Sequence, residues 1–486
     1  MRGFLGVTGH FMEMEEDSPS LQTVLLSCER FTGSHTGERI SEKFEEICDN
    51  FNIMHKVDYI ICDNASNMRK AFTVCFPSTT TTEIEDGEDD LENSNLWEEL
   101  SDSLQDEVES IQRSCRQQRL QCFAHSLQLV VRDGLKETKI LNTAMAKVTK
   151  FCSLLHSTCG LKEAFEKVFG ANRSVPSAVS TRWNTTLRLV ESVTELDPQS
   201  LNTLLEAQGH KGLCLSAREL SQLKELVDIL APFLQATDLT QGEKVVTLSA
   251  VLPCVLSLNS HLNSMLNTTR HLSGFVKALQ KSLQFRFQGI FANVKMADSA
   301  QPAGDLPYGD MVYMMSAVLD PSFCFFWLEQ DVLGPDDVKR EVKEMIIELV
   351  LAEARKVAIL PESTSGEDDK NDDAPPAKTP RLFTGYRKKS NKKGDHVSSV
   401  RGELDRYIQV SSDEEEVDCL GFWKRHAKVF PRLFLVAVRV LAVPATSAPV
   451  ERVFSHGGLI MRPHRARISA RTLSTLIFLK CNHSVA

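Results

Sequence analysis

The chain has 486 residues, 42% of them hydrophobic and 25% charged, and its formal net charge is −10 at pH 7. Its length allows two or three domains, and its composition is that of an ordinary globular protein with a core. The acidic balance excludes a general polyanion binder, so contact with nucleic acid requires a local basic patch, and no apolar run is long enough to span a bilayer. The 13 cysteines lack framework spacing and no secretory leader precedes them, which predicts a reducing, intracellular compartment.

The first part of the chain has strand and helix patterns that lead to an acid. The stretches FLGVTGHFMEM and LQTVLLSCERF, rich in large apolar and β-branched residues, predict two strands. Apolar residues at helical spacing follow in TGERISEKFEEICDNF, which predicts a helix with Thr36 as its N-cap. The apolar run from Tyr59 to Cys62 predicts a strand buried on both faces, ending at Asp63. This order of elements predicts an α/β sheet.

Helical patterns dominate the middle of the chain. Residues 79–110 are acidic and polar, which predicts a solvated insertion. Helical sequence resumes with LQCFAHSLQLVVRDGLK, and residues 191–355 contain one helical pattern after another. Residues 361–400 have the composition of a linker. Within it, the basic run from Arg387 to Lys393 is either a nuclear import signal or a solvated tail.

The C-terminal region contains two further helical patterns. PRLFLVAVRVLAV is apolar almost all round and predicts a buried helix that stops before Pro444. ARTLSTLIFLKCN predicts a last helix with Ser469 as its cap and an apolar stripe of Leu473, Leu476 and Ile477.

Two carboxylates are candidates for catalysis. Asp63 follows the carboxyl end of a predicted strand, where converging acids can hold a pair of Mg²⁺ ions for phosphodiester chemistry. CDNASN is also good turn chemistry, in which Asp63 accepts backbone N–H bonds, and spacing alone favours the turn. Glu451 comes soon after Pro449 in a predicted first helical turn, where a carboxylate opposes the positive helix end. For Glu451 too, the residues alone favour this structural role.

Arg182 and Trp183 lie together in STRWNTTL, a polar and turn-like stretch. A tryptophan beside a cation can stack on an extrahelical base. The alternative is that Trp183 anchors a loop to the core while Arg182 pairs with an acid. The residues by themselves slightly favour this alternative.

Two weaker motifs complete the set of candidates. Cys122 and His125 are three positions apart in CFAH, but two ligands do not make a zinc site, so structural roles are favoured. RPHRARIS places Arg462, Arg465 and Arg467 in one turn-rich stretch. They can grip phosphates or belong to a solvated loop, and the sequence favours neither.

The order of these motifs is more specific than any one of them. CDNASNM, LQCFAHSLQL, STRWNTTL, a long helical block and the stretch from FPRLFLVAV to the end resemble the hAT superfamily of DNA transposases. Among these, the chain most resembles the domesticated zinc-finger BED-domain-containing proteins. The resemblance covers nearly the whole chain, and its end is similar to the hAT C-terminal dimerisation region.

The resemblance implies an RNase H-like mixed-sheet core interrupted by a large all-helical insertion, with an Asp-Asp-Glu triad. Asp63 matches the second Asp and Glu451 the Glu, so the two are expected to meet beside one sheet. Arg182 and Trp183 match the Arg-Trp pair that stabilises a flipped base. Cys122 matches the start of the C-x-x-H motif near that site, which His125 completes.

Sequence patterns and resemblance together predict six segments. The RNase H-like core is predicted in two parts, residues 1–78 and 112–190, separated by an acidic insertion at residues 79–111. The all-α insertion follows at residues 191–360, the linker at residues 361–402 and the C-terminal dimerisation region at residues 403–486.

The chain departs from the family pattern at its beginning. The family's first Asp and its BED zinc finger would both lie upstream of Met1. Zinc is therefore expected only in that finger, and Mg²⁺ only if some catalysis survives. With one acid missing, two-metal chemistry is expected to be severely crippled, as in a degenerate transposase.

These observations predict a nuclear, transposase-derived protein that dimerises through its C-terminal region, with Leu473, Leu476 and Ile477 as contacts, and binds DNA in transcriptional regulation. The predicted partners are DNA and a second copy, with no membrane and no small-molecule substrate. One alternative is an active, Mg²⁺-dependent hAT transposase seen as an incomplete chain. The other is a protein-interaction scaffold that does not touch DNA.

Overall fold

The computed structural model describes residues 3–15, 18–72, 118–177, 183–297, 299, 301–329, 333–357, 399–413, 418–461 and 468–483. This part of the molecule is mostly helical and has two small sheets. The predicted presence of both strands and a larger helical part is confirmed. Among the helices described, none combines the length and apolar character needed to cross a membrane.

Each sheet has two strands in the described part. Strands β1 (Phe4–Glu15) and β2 (Ser18–Arg30) pair with each other. Strands β3 (Tyr59–Cys62) and β4 (Gln118–Gln121) form a parallel pair in which Tyr59 lies opposite Gln118 and Cys62 opposite Gln121. The strands predicted from FLGVTGHFMEM, LQTVLLSCERF and YIIC are therefore present.

Two details of the second sheet differ from the prediction. Leu120 and Gln121 were predicted to be helical but belong to β4, because they pair with β3 and the helix begins only at Phe123. Pairing with β3 here outweighs the helical pattern of the local sequence. Strand β3 was predicted to be buried on both faces, but only Cys62 is buried, since its sheet has a single other strand among those described.

The helices follow the predicted order. Thr36 occupies the N-cap position of the first helix, but its side chain makes no capping hydrogen bond. The described helices are α1 (Gly37–Asn50), α2 (Ser66–Phe72), α3 (Phe123–Lys136), α4 (Asn142–Ser157), α5 (Cys159–Phe169), α6 (Trp183–Thr194), α7 (Pro198–Ala207), α8 (Ala217–Leu239), α9 (Val251–Thr268), α10 (Ser273–Arg286), α11 (Gln288–Asn293), α12 (Val312–Leu319), α13 (Phe326–Glu329), α14 (Asp336–Val357), α15 (Val400–Asp413), α16 (Cys419–His426), α17 (Pro431–Leu441), α18 (Ala448–Ile460) and α19 (Ala470–Cys481).

The chain forms two compact units, each assembled from distant segments. The first, here called the sheet unit, comprises Met1–Gly9, Val24–Cys122 and Thr446–Ala486. The second, here called the helical unit, comprises His10–Thr23 and Phe123–Ala445. The six segment boundaries predicted from the sequence stay predictions.

In the helical unit, a carboxylate of one helix caps the start of another. The buried Glu403 of α15 accepts hydrogen bonds from the backbone N–H groups of Arg432 (3.1 Å) and Leu433 (3.3 Å) at the start of α17. The first N–H groups of a helix have no partner within that helix, and a carboxylate also complements the positive helix end. Glu403 therefore fixes where α17 begins.

Helix α17 is less buried than its composition predicted. Leu433, Phe434 and Ala437 are among its buried residues, but Leu435 is 49% exposed and Arg439 is exposed. Its apolar residues occupy more of the helix surface than the core covers. The helix ends at Leu441, before Pro444 as predicted.

In the sheet unit, the last two helices pack against strand β2. Ser469 caps α19 by accepting a hydrogen bond from the N–H of Thr472, as predicted. The Asn482 side chain makes two bonds to the backbone of Leu25, accepting from its N–H (2.8 Å) and donating to its carbonyl (2.9 Å). Gly457 allows α18 to approach α19 closely, since a Cβ there would lie 3.0 Å from Ile477 Cδ1.

Candidate functional site

The loop after β3 is held by side chains of β4. Asp63 Oδ1 accepts a hydrogen bond from the N–H of Ala65 at 3.1 Å, which is the Asx turn that CDNASN favoured. Arg119 Nη2 donates to the Asp63 carbonyl and to Asn64 Oδ1, both at 2.8 Å. Asn64 Nδ2 in turn donates to Gln121 Oε1 at 2.8 Å. Arg119 and Gln121 therefore fix the backbone that carries the Asp63 carboxylate.

Arg119 also contacts the Cys62 thiol at the end of β3. Its Nε donates to Cys62 Sγ at 3.1 Å. Burial raises the pKa of the Cys62 thiol, and the guanidinium charge of Arg119 opposes that shift without cancelling it. Cys62 is thus a neutral, buried thiol and not a nucleophile at neutral pH.

Glu451 lies in the first turn of α18. This helix begins at Ala448 with a proline in its first turn, and the exposed Glu451 is its acidic first-turn residue. The N–H of Glu451 donates to the carbonyl of Ser447 at 3.4 Å. This position complements the helix dipole, as the sequence favoured, and leaves the carboxylate accessible to solvent.

Cys122 links the segments that carry the two candidate carboxylates. Its N–H donates to the carbonyl of Cys62 at 3.0 Å, next to Asp63. Its Sγ accepts a hydrogen bond from the N–H of Ser447 at 3.3 Å, one helical turn before Glu451. Asp63 and Glu451 thus belong to one compact unit, on segments joined by Cys122. Direct convergence of the two carboxyl groups stays a prediction.

The other candidate residues are distributed differently. Cys122 directly precedes α3, and the half-buried His125 lies on that helix, in the helical unit. Trp183 is half-buried and is the first residue of α6, so it starts a helix where a turn-like stretch was predicted. The predicted DNA contacts Arg182, Arg462, Arg465 and Arg467 lie outside the described residues.

The predicted Mg²⁺ site can be compared with the donors present. Carboxylates are the ligands that Mg²⁺ prefers, and Asp63 and Glu451 supply two. The described residues include no group of three or more His, Cys, Asp or Glu side chains that could hold a metal ion. Within the described part of the chain, these two carboxylates are therefore not joined by a third donor of this kind.

Sequence reasoning missed the supporting residues of this site. Arg119 and Gln121 lie in the short QRLQ stretch, whose charged and polar residues do not read as a strand. Ser447 contributes a backbone N–H, which has no signal in the sequence. The available indication was that Arg119 and Gln121 immediately precede CFAH, one of the motifs that carried the resemblance.

Comparisons with known proteins match three regions of the chain to family models. The model of the hAT family C-terminal dimerisation region matches residues 403–482. Models of the ZBED1 RNase-like domain and the ZBED1 RNase-like helical domain match residues 1–80 and 120–229. Together these matches cover more than half of the chain.

The chain belongs to the hAT-derived, BED-type transposase-like proteins.

Curated relatives include proteins of the same family. A putative AC transposase of Zea mays is 21% identical over 99% of this chain and 54% of its own length. Zinc finger BED domain-containing protein 4 of Homo sapiens is 21% identical over 88% of this chain and 34% of its own length. Putative transcriptional regulator tpeD of Talaromyces stipitatus is 21% identical over 99% of this chain and 52% of its own length. This hAT-derived chain therefore spans only a third to just over half of these relatives.

Proposed function

We propose that this hAT-derived chain self-associates through its C-terminal helices and binds DNA in the nucleus, in transcriptional regulation and with impaired catalysis. The observation that carries the proposal is the division of α19 into two apolar faces. Leu473 and Ile477 are 4% and 2% exposed, whereas Leu476 and Leu479 are 39% and 61% exposed. A helix that exposes a second apolar face has area left for a partner.

Two of the three predicted dimer contacts, Leu473 and Ile477, lie on the buried face of α19. Leu473 and Ile477 pack against Leu25 and Cys28 of β2 and against Val453 of α18. They stabilise their own unit and are not accessible to a second copy. Leu476 is the exposed member of the predicted contacts, and we place self-association on the face of α19 that carries Leu476 and Leu479.

An RNase H-like core for the sheet unit is part of the proposal. It is supported by the RNase-like domain match over residues 1–80 and by the parallel pairing of β3 with β4. In such a core a carboxylate after a strand and another on a packed helix face one site. The order of Asp63 and Glu451 agrees with it.

DNA binding rests on the relatives and on the Arg-Trp motif. One relative is called a transposase and another a transcriptional regulator, and each aligns with almost all of this chain. We place Trp183 at the contact with a flipped or single-stranded base, where an aromatic ring stacks without sequence preference. Half-burial at the start of α6 leaves part of the Trp183 ring accessible for such stacking.

We propose impaired catalysis because the described residues supply two candidate carboxylates for the site. One of them, Asp63, has an oxygen that is bonded within an Asx turn. Mg²⁺, where bound, would activate a water and stabilise the leaving oxygen. This chain's own contribution is to hold the Asp63 loop through Arg119 and the first turn of α18 through Cys122.

The test is DNA binding and nicking measured on the same preparation. Fluorescence anisotropy with single-stranded and hairpin DNA over a salt series is expected to show binding that weakens as salt rises. Trp183→Ala is expected to lower that affinity about ten-fold, whereas Trp327→Phe, at a buried position, serves as the control. Incubation with Mg²⁺ is expected to leave supercoiled plasmid intact.

The alternatives give different results. Mg²⁺-dependent nicking that Asp63→Asn abolishes would establish an active transposase. A stable dimer without salt-sensitive DNA binding would establish a protein scaffold.

A further inference from the structure

The helical unit contains a cavity of about 540 Å³ that none of the motifs accounts for. It is lined by the C-terminal half of α8, the loop that follows it, α9, the turn at residues 320–323 and the start of α16. All of these segments belong to the helical unit. The volume lies within the range of about 300–1,000 Å³ that is usual for small-molecule sites.

The one buried charge in the lining is already satisfied. Asp320 accepts hydrogen bonds from Ser249 Oγ at 2.6 Å and from the N–H of Ser322 at 3.0 Å. Cys419 also donates to this carboxyl. Asp320 therefore ties three segments of the wall together, and its bonding capacity is largely used before any ligand arrives.

The two thiols in the lining, Cys254 and Cys419, carry no charge. Burial raises the pKa of the Cys254 thiol to about 11 and that of Cys419 well above its ordinary value, so both are protonated at neutral pH. Lys244 and Asp418 are exposed and lie on the solvent side. A charged ligand would find no free counter-charge inside the cavity.

Apolar side chains stand beside Lys244 and Asp418 on the solvent side of the cavity. Leu239 and Val245, which line it, are 63% and 54% exposed. Deeper in, Ala236 and Leu258 supply buried apolar wall. An apolar molecule bound in the cavity would cover the exposed side chains as well as the wall. Removing this apolar surface from water is favourable.

We propose that this cavity binds a small, uncharged and predominantly apolar molecule. The proposal does not depend on DNA binding or on self-association, because the lining residues belong neither to the predicted DNA contacts nor to the exposed face of α19. The lack of a free counter-charge at depth and the exposed Leu239 and Val245 at the lining both favour such a molecule over ions and polar metabolites.

Nile red, an uncharged solvatochromic dye, tests the proposal on the full chain. Saturable binding with blue-shifted emission is expected for the native protein. Cys254→Phe, which fills the cavity, and Leu239→Glu, which places a charge at its opening, are each expected to weaken binding at least ten-fold. Phe285→Glu is the matched control, because Phe285 is 67% exposed and does not line the cavity.

A second measurement uses the thiols. Alkylation by N-ethylmaleimide, mapped by mass spectrometry, is expected to slow at Cys254 when the dye is present and to stay unchanged at the exposed Cys159. Absence of saturable binding, or equal binding by all variants with unchanged melting temperatures, would overturn the proposal. If Cys254→Phe does not fold, Leu239→Glu and the alkylation rates decide.

Discussion

The Cys122 thiol accepts a hydrogen bond from the backbone N–H of Ser447 at 3.3 Å, although 325 positions separate the two residues. The bond joins the end of β4 to the first turn of α18, which carries Glu451. A cysteine of the C-x-x-H motif thus acts in this chain as a structural acceptor at a helix start.

Replacing Cys122 tests that role. Cys122→Ala leaves the Ser447 N–H without this acceptor, at an expected cost of about 1–3 kcal/mol in the free energy of unfolding. Cys122→Ser keeps an acceptor and should cost less. Thermal unfolding, with hydrogen exchange of the amides at 447–451, measures both. Cys159→Ala is the control for an exposed thiol; losses no larger than its own would refute a structural bond at Cys122.

Glu403 should be a stability determinant of the helical unit. Glu403→Ala removes the acceptor for the N–H groups of Arg432 and Leu433 and is expected to cost about 1.5–3 kcal/mol, with Glu403→Gln costing less. Urea unfolding monitored by circular dichroism measures the change. Glu348→Ala, at an exposed ion pair with Arg401, should change stability by about 0.5 kcal/mol or less. Equal effects of Glu403→Ala and Glu348→Ala would contradict the assigned cap.

The stability of the helical unit should depend on the Asp320 carboxyl. Burial raises the pKa of Asp320 above its ordinary value, so protonation is favoured in the folded state. Its contribution is therefore fully present below about pH 4 and is lost as pH rises through the folded-state pKa. Melting temperatures measured from pH 4 to 7 should fall less for Asp320→Asn than for the native chain.

Ser249→Ala tests the pKa of Asp320 a second time with the same measurement. Ser249 donates to the Asp320 carboxylate, which favours the ionised form and lowers the pKa. Without that donor, the loss of stability should extend to higher pH than in the native chain. Parallel curves for all three proteins would show that Asp320 does not titrate as proposed.

Self-association should depend on the exposed face of α19. Leu479→Asp is expected to weaken self-association at least ten-fold, because it places a charge in an apolar contact, while the melting temperature stays nearly unchanged. Sedimentation equilibrium measures the dissociation constant. Val168→Asp alters a residue of 49% exposure in the helical unit and should leave association intact. Equal association by both variants would place the interface elsewhere.

A chain ending at residue 403 should not fold cooperatively. Residues 404–445 belong to the helical unit and residues 446–486 to the sheet unit, so the truncation removes part of both cores. Leu25 and Cys28 of β2 would lose their buried partners on α18 and α19. Differential scanning calorimetry is expected to show no sharp transition. A monodisperse fragment with cooperative melting would refute this expectation.

The sequence by itself determined the local elements of this hAT-derived protein. Alternating and helical patterns located β1, β2 and α1, and the Ser469 cap and the Asx turn at Asp63 followed from neighbouring residues. These features depend on contacts within a few positions of the chain, so composition and spacing specify them. The order of the motifs also identified the family.

Only the tertiary structure decided how distant segments meet. Hydrophobic spacing marked a stripe on α19 but not which of its leucines would be covered, and β2 buries Leu473 while leaving Leu476 exposed. QRLQ becomes a strand because β3 offers it a parallel partner. The bonds of Cys122 to Ser447 and of Asn482 to Leu25 span 325 and 457 positions, and pairings over such separations have no local pattern in the chain.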